Sequence, residues 1–578
     1  MAMTSANENV RYEPDDKPPP LIALGAGLQA AALIVAPVVL TVVIVARIAQ
    51  QADGYISWAV FAALLISGIT TVLQAVRVGR FGAGHVLIMG TSGAFIAVCV
   101  AALLEGGPST MATLIVVSSL FQFLMASRLS LLRRVFTPVV SGTVIMLIGA
   151  TVVPVLFDSL GDVTPTASRS AAPIAALATL VTVTGLVLRA PAAWRLWSPV
   201  IGIAVGCLVA ALFGIYDTQP ILDAPWMGVP VDSWPGLAVT PGAEFWALLP
   251  AFVVVTIVGA IETIGDGVAI QRVSRRSRRA TDFRVVQGAL NADGMGNLLS
   301  GLAGTLPNTT YSTSISLAEV TGIGARRVGV IIGTIFAVVA FFPKVAAVLI
   351  AIPAPVAAAY LLVLLGLLFI QGMKIIIQDG VDHRKAAVAG VSFWMGVGFQ
   401  NQWIFPDLLG EGFLAVLFGN GMTAGAIIAI VMVFFMEATA PRRSHLEVAL
   451  NMEELPKLGA FLRGFADSQS WQQADAERLV LVGEETLSGL LSQDSDPSEG
   501  RRRLLVTARP DGGGAELEFL CASEGENLED RLSYLGEAPD IADVREVSFR
   551  LLRHYSSRVR HNKYHDVDIV TVTVEGPR

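Results

Sequence analysis

The sequence predicts a polytopic α-helical membrane protein with a small soluble α+β domain after it, and three observations lead there. Hydrophobic residues fill 53% of the 578 positions and charged residues 15%, against about a quarter charged in an ordinary soluble domain; mean hydropathy is +0.64. Apolar runs recur from Leu21 to Met436, and about 20 such residues cross a bilayer as a helix. After Pro441 the composition turns abruptly to "RRSHLEVALNMEELPKLG" and stays rich in charge.

Taken in order, residues 1–20 hold Glu8, Arg11, Glu13, Asp15, Asp16 and the run Pro18 to Pro20. They lack the apolar core and cleavage site of a signal peptide and are expected to be a disordered cytosolic tail. Residues 21–440 read as the transmembrane domain. Its clear runs are Leu21 to Ala46, Tyr55 to Val76, Val135 to Leu156, Phe245 to Ile261, Val328 to Phe342 and Ala424 to Met436; with shorter ones added, about twelve to fourteen spans are expected. Basic residues gather in alternate connections: Arg77 and Arg80; Arg128, Arg133 and Arg134; Arg189 and Arg195; Arg272 to Arg284; Arg326 and Arg327; Arg384 and Lys385; Arg442 and Arg443. The positive-inside rule makes these cytoplasmic, so both ends face the cytosol across an inner or plasma membrane and the number of crossings is even. The other connections are nearly free of Lys and Arg, with Arg169 and Lys344 as exceptions. Cys99, Cys207 and Cys521 are scattered, which supports neither a disulfide framework nor a metal cluster.

Residues 445–578 suit one small cytosolic domain. "RRLLVTARP", "AELEFLCAS" and "VDIVTVTVE" alternate as strands. "WQQADAERLVLVGEETLSGLLSQ" and "DVREVSFRLLRHYSSRVRHN" have helical periodicity, so an α+β sandwich is expected.

Ionisable groups inside a membrane are costly and mark function by default. The spans before residue 220 contain almost none, whereas the second half holds Glu262, Asp266, Asp293 and Glu319. Glu262 and Asp266 stand four apart and share a helix face; carboxylates that repel in low dielectric and can take up a proton during a cycle suit proton coupling. The other reading pairs them with backbone or with the Arg272 cluster. Asp293 and Asn297 fit a helix–helix hydrogen bond as well as a solute contact, and Glu319 fits a solvated position near a helix end. Gly301, Gly304 and Pro307 interrupt regular helix before "NTTYSTS", and irregular backbone at membrane depth is tolerated where protein or a wet cavity satisfies it. Its counterpart is "GHVLIMGTSGAFIAV", residues 84–98, with Gly90, Thr91, Ser92 and Gly93. Paired interruptions in two halves point to a transporter site at the midplane; helix packing through small residues is the alternative.

"FTPVVSGTVIMLIGATVVPV", "ETIGD", "ALNADGMGNLLSGLAGTLPNTTYS" and Thr321-Gly322 resemble the nucleobase/ascorbate transporter family, the xanthine/uracil permeases, over roughly residues 20–440. The resemblance implies fourteen transmembrane segments as 7+7 inverted repeats, a core domain moving against a gate domain, and short strands in segments three and ten facing each other at the site. It further implies uptake of a nucleobase such as uracil, xanthine or urate, a proton-coupled symporter, and a homodimer. Carried over by position, Glu262 matches the glutamate that hydrogen-bonds the base, while backbone at Gly93 and Ser312, beside Ser92, serves the same guest. The segment-ten signature here reads Thr313, Ser314, Ile315, Ser316, then Leu317 to Val320, Thr321 and Gly322. Thr313 stands for the Gln, Glu or Pro that contacts the base, Ser314 for Asn and Ser316 for Gly; Ala30 replaces the histidine of the first span. A threonine offers one short hydroxyl where an amide or carboxylate makes two contacts. Glu262, Asp266 and Glu319 are the proton-coupling candidates, and Glu262, Thr313, Ser312, Ser314, Gly93 and Ser92 the substrate-binding ones.

The C-terminal domain loosely resembles a degenerate histidine-kinase-like or anti-sigma-factor ATPase fold. Glu485 falls at its acidic position, but Gly489 replaces the magnesium-binding Asn; Ser523, Gly525 and Asn527 occupy the Asp-x-Gly-x-Gly loop. Without that Asp and Asn, ATP binding and hydrolysis are not expected, and the domain reads as a regulatory module with a cytosolic protein partner. No cofactor, metal or nucleic acid is expected beyond the proton gradient. An anion carrier of the sulfate-permease type and a transport-derived sensor signalling through residues 445–578 are the alternative functions. The chain is not expected to be an enzyme: it has no phosphate-binding Gly-Lys-Ser/Thr loop and no His-Glu-x-x-His.

Overall fold

A computed structural model of the chain describes residues 9–127, 137–161, 168–191, 194–195, 197–230, 233–240, 242–276, 281–378, 382–405, 418, 421–439, 444–491, 503–511, 514–521, 551–564 and 567–575. Contacts divide the chain into two units, one of Glu8–Arg275 with Val285–Met436 and one that contains Glu437–Arg578.

The first unit is helical. Its elements are α1 (Pro20–Ile48), α2 (Asp53–Val76), β1 (Met89–Thr91), α3 (Ile96–Glu105), α4 (Gly107–Ser127), α5 (Pro138–Ser159), α6 (Ala171–Arg189), α7 (Ser198–Leu212), α8 (Gln219–Asp223), α9 (Ala243–Val273) and α10 (Phe283–Ala303). There follow β2 (Asn308–Thr310), α11 (Thr313–Thr321), α12 (Arg326–Ala340), α13 (Pro343–Ile350), α14 (Ala354–Gln378), α15 (His383–Gln400) and α16 (Gly421–Ala438). Among the described residues 7 helices are long and apolar enough to cross a membrane, or 8 if α12 and α13, bent by 86°, count as one span. The protein is thus a multi-pass membrane protein.

Glycines let helices of this unit meet backbone to backbone. A Cβ on Gly68 of α2 would lie 2.5 Å from the carbonyl oxygen of Gly333 of α12, and one on Gly333 would lie 2.4 Å from that of Gly68. Gly142 of α5 and Gly372 of α14 face each other in the same way, each 2.5 Å from the other's carbonyl oxygen. Small residues that let backbones touch are how helices pack where lipid removes the hydrophobic drive.

The segment expected to be a disordered tail departs from that expectation over its described part. The Arg11 amide donates to Gly322 O at 2.8 Å, Gly324 N donates to Tyr12 O at 2.8 Å, and Arg326 pairs with Asp15 at 2.7 Å. Tyr12 and Ile323 form a parallel bridge. Gly322 ends α11 in the left-handed conformation, φ +69°, which leaves the following backbone free to accept the segment. The polar composition of residues 9–16 fits pairing with loop backbone as well as it fits solvent.

The break after α10 is held from several sides. The Trp234 indole donates to Leu302 O at 3.2 Å, Trp58 to Ala303 O at 2.7 Å and the Tyr55 hydroxyl to Gly304 O at 3.1 Å, so carbonyls freed at the helix end are met by protein, as membrane depth demands. Gly304 has φ +69°, and an added Cβ would lie 2.3 Å from Pro235 Cγ. Gly304→Ala is therefore expected to destabilise the protein by about 1–3 kcal/mol, read as a lowered thermal midpoint of the purified protein.

In the second unit β3 (Ser444–Ala449), α17 (Leu455–Ser468), α18 (Gln473–Leu491), β4 (Arg503–Asp511), β5 (Gly514–Cys521), β6 (Arg558–Tyr564) and β7 (Val567–Val574) build a 5-stranded sheet in the order β3-β4-β5-β7-β6. All neighbours are antiparallel, with Val506 opposite Phe519 and Phe519 opposite Val570. Leu504, Val506, Leu517, Phe519 and Val572 form one core with Leu458 and Leu462 of α17 and Leu479 and Val480 of α18. "RVRHN", expected as helix, is strand instead: Arg558 pairs with Thr573 and Arg560 with Thr571. A free sheet edge outweighs a weak helical period there. Glu485 and Gly489 lie on α18, Gly489 buried; Ser523, Gly525 and Asn527 fall outside the described residues, as do Arg128, Arg133, Arg134, Arg442 and Arg443.

Candidate solute site

The two interrupted stretches meet as an antiparallel pair, Met89 opposite Thr310, Gly90 opposite Thr309 and Thr91 opposite Asn308. Ser92 N to Pro307 O and Tyr311 N to Ile88 O, both 2.8 Å, extend the pairing at its two ends. Each strand is too short for a sheet of its own, yet crossing satisfies backbone that would otherwise be orphaned in the interior. Gly90 is needed for that crossing: a Cβ would sit 2.7 Å from Tyr311 Cζ and 2.8 Å from Val38 Cγ2. The Tyr311 hydroxyl donates to Thr91 O at 2.9 Å, and Thr91 Oγ1 donates to Val38 O of α1 at 3.0 Å.

Each strand leads into a helix. Ser92 precedes a short 3-10 turn, Gly93–Phe95, and then α3; Ser312 precedes α11. Two helix N-termini, with their free amides and partial positive charge, thus begin at the strand crossing.

The predicted residues fall into three groups. Asp266, buried on α9, accepts from Thr310 Oγ1 at 2.7 Å and from Ser312 Oγ at 2.8 Å, so both carboxylate oxygens hold the β2–α11 junction. Ser314 is likewise committed: its hydroxyl accepts from Ile88 N at 2.9 Å and donates to Tyr311 O at 2.6 Å, locking one interrupted stretch to the other. Glu262, one turn before Asp266, takes no hydrogen bond or ion pair among the described residues and is only half-buried. Gly93 has open space where a side chain would be, the buried Ser92 hydroxyl lacks a partner among the described residues, and Thr313 is half-buried at the first position of α11. Glu319 is exposed and sits six residues, about 9 Å of helix, beyond Thr313.

Behind the crossing lies a buried polar chain. Gln122 of α4 donates to Asp293 and accepts from Asn297 Nδ2 at 2.8 Å. Asn297 Oδ1 accepts from Asn308 N at 2.7 Å, and Asn308 Nδ2 donates to Ser67 Oγ of α2 at 3.3 Å. Asp293 and Asn297 therefore tie helices to the strand crossing. Ala30, the histidine replacement, is fully buried on α1.

Three groups near the site escaped the sequence reading: Gln122, Gln371 of α14, which donates to Ser312 Oγ at 3.4 Å, and Thr263, whose hydroxyl is 3.3 Å from that of Thr310. Both glutamines are lone amides in apolar runs, "SSLFQFLMA" and "LLGLLFIQGM". An amide carries no charge, so the cost that marks an ionisable group in a membrane does not mark them.

Residues 22–403 match the xanthine/uracil permease model, described as "Permease family". The xanthine permease XanP of Escherichia coli K12 is 29% identical over 448 residues, 74% of this chain and 94% of XanP. XanQ of the same strain is 27% identical over 447 residues, 74% of this chain and 94% of XanQ. The nucleobase transporter PlUacP of Paenibacillus larvae is 26% identical over 389 residues, 64% of this chain and 84% of PlUacP. Among solved structures, the transmembrane domain of the cyanobacterial bicarbonate transporter BicA superposes with a TM-score of 0.42 at 17% identity over 74% of this chain and 100% of that one, a likeness too loose to argue from. With a family match over most of its helical unit and relatives aligned across nearly their whole length, the chain belongs to the xanthine/uracil permease family, whose members are transporters and not enzymes.

Proposed function

We propose that the chain is a secondary active transporter for a planar nucleobase or related heterocycle of the uracil, xanthine and urate class, driven by protons. The observation that carries this reading is the division of labour on α9. Asp266 spends both oxygens on the β2–α11 junction, while Glu262, one turn away, keeps its acceptors for a guest. A carboxylate binds the N–H groups of a nucleobase through strong charge-assisted contacts. The amides at Gly93 and Thr313 add donors for its carbonyl oxygens. Names of the relatives, xanthine permease and nucleobase transporter, support the same class. The carboxyl of Glu262 disfavours a small inorganic anion of the sulfate type as cargo.

In this reading fourteen segments form two inverted repeats, a core rocks against a gate, both termini are cytoplasmic, and two copies associate. Residues 445–578 regulate transport without hydrolysing ATP. Counterflow in proteoliposomes with radiolabelled uracil, xanthine, urate and sulfate tests the cargo: exchange of a base and none of sulfate is expected, and sulfate exchange without base exchange would remove the reading. Transport by a chain ending near residue 440 is expected to persist and to lose its regulation.

A further inference from the structure

An apolar crevice of about 790 Å³ opens on the flank of the helical unit, within the range of about 300–1,000 Å³ that small-molecule sites occupy. Leu28 and Ala32 of α1, Ala204 of α7, Val339 of α12 and Val348 of α13 are among its walls, and Lys344 is the charged residue on them. Leu28 and Val348 are about half exposed, so the crevice faces outward from the bundle. The sequence sets Lys344 apart as a basic residue in connections otherwise nearly free of Lys and Arg. Its ammonium donates to the carbonyls of Leu222 at 3.4 Å and Ala224 at 3.3 Å, at the end of α8, and lies 5.1 Å from the Trp226 ring centroid. These contacts fix the side chain and leave its charge without a counter-ion among the described residues. Lys344 follows α12, whose 15 residues span about 22 Å from Arg326 and Arg327. It therefore lies beyond the far end of α12 from them, just past the bend into α13, and Trp226 beside it pairs with Lys344 as Trp and Lys do where side chains reach for headgroup depth.

We propose that this crevice holds an acyl chain of an anionic membrane phospholipid whose phosphate rests on Lys344. The apolar walls take hydrocarbon, which any bilayer supplies at that depth. The ammonium at the boundary takes the headgroup charge, and Trp226 covers the join between them. A lysine near a headgroup gains about as much as one juxtamembrane charge does on an anionic leaflet.

The test uses the full chain, purified in a mild detergent and exposed to phosphatidylglycerol or phosphatidylcholine, with bound lipid read by native mass spectrometry and thermal midpoint read in parallel. The wild type is expected to retain phosphatidylglycerol over phosphatidylcholine and to be stabilised by it. Lys344→Gln is expected to lower phosphatidylglycerol retention about fivefold, as loss of one such lysine implies, whereas Lys344→Arg keeps it. Ala204→Phe, which fills the crevice, is expected to lower retention of both lipids. Unchanged retention in Lys344→Gln or in Ala204→Phe overturns the proposal. Should Lys344→Gln fail to fold for want of its carbonyl contacts, equal retention of the two lipids by the wild type overturns the headgroup assignment.

Discussion

Glu262→Gln is expected to abolish accumulation of substrate under an imposed pH gradient while leaving the protein folded. The carboxylate has no hydrogen-bond or ion-pair partner among the described residues, so the amide, nearly the same in shape, strands no protein group. What is lost is the charge offered to a guest and the capacity to carry a proton. A hydrogen bond to a charged group contributes about 1.5–3 kcal/mol, so affinity should fall on the order of 10- to 100-fold. Accumulation in proteoliposomes, compared with counterflow exchange in the absence of a gradient, separates the two losses: exchange at high substrate should remain and accumulation should not. Wild-type accumulation by Glu262→Gln would refute the coupling role.

Asp266→Ala should behave in the opposite way, failing in stability first. It removes the acceptor of the buried Thr310 hydroxyl and of the half-buried Ser312 hydroxyl, and a hydroxyl stranded in the interior costs about 1–3 kcal/mol. The start of α11 then loses its carboxylate anchor on α9, so transport is expected to vanish and the thermal midpoint to drop. Asp266→Asn keeps one acceptor and should fall between. A variant with alanine that melts and transports as the wild type does would show that the carboxylate holds nothing. Read together, the two substitutions part a guest-facing carboxyl from a structural one although they sit a turn apart on the same face.

How far the sequence carries can be judged on these same residues. The two interruptions announce themselves by Gly90, Gly93, Gly304 and Pro307 in apolar surroundings, while the facing of two short strands is what the family resemblance implies. Register does not follow: that Met89 opposes Thr310 depends on the Tyr311 ring lying over Gly90, a contact between segments more than two hundred positions apart. Ser314 is a similar case. By position it reads as a substrate contact, yet its hydroxyl is taken by Ile88 N and Tyr311 O, which no local pattern reveals. The same limit explains residues 9–16, whose polar composition fits a tail until the backbone of Gly322 to Arg326 is seen beside them. Strand β6 escaped because its periodicity is weak and its partner β7 supplies the reason for its conformation.

The facing glycines have a mechanical consequence. Where Gly68 meets Gly333 and Gly142 meets Gly372, main chain rests on main chain, with Val72, Ile376 and Met146 closing in at the sides, so each couple of helices is expected to travel as one stiff plank. In the proposed cycle, the swing that exposes the guest to each side of the bilayer is then expected to hinge between such couples and not within them.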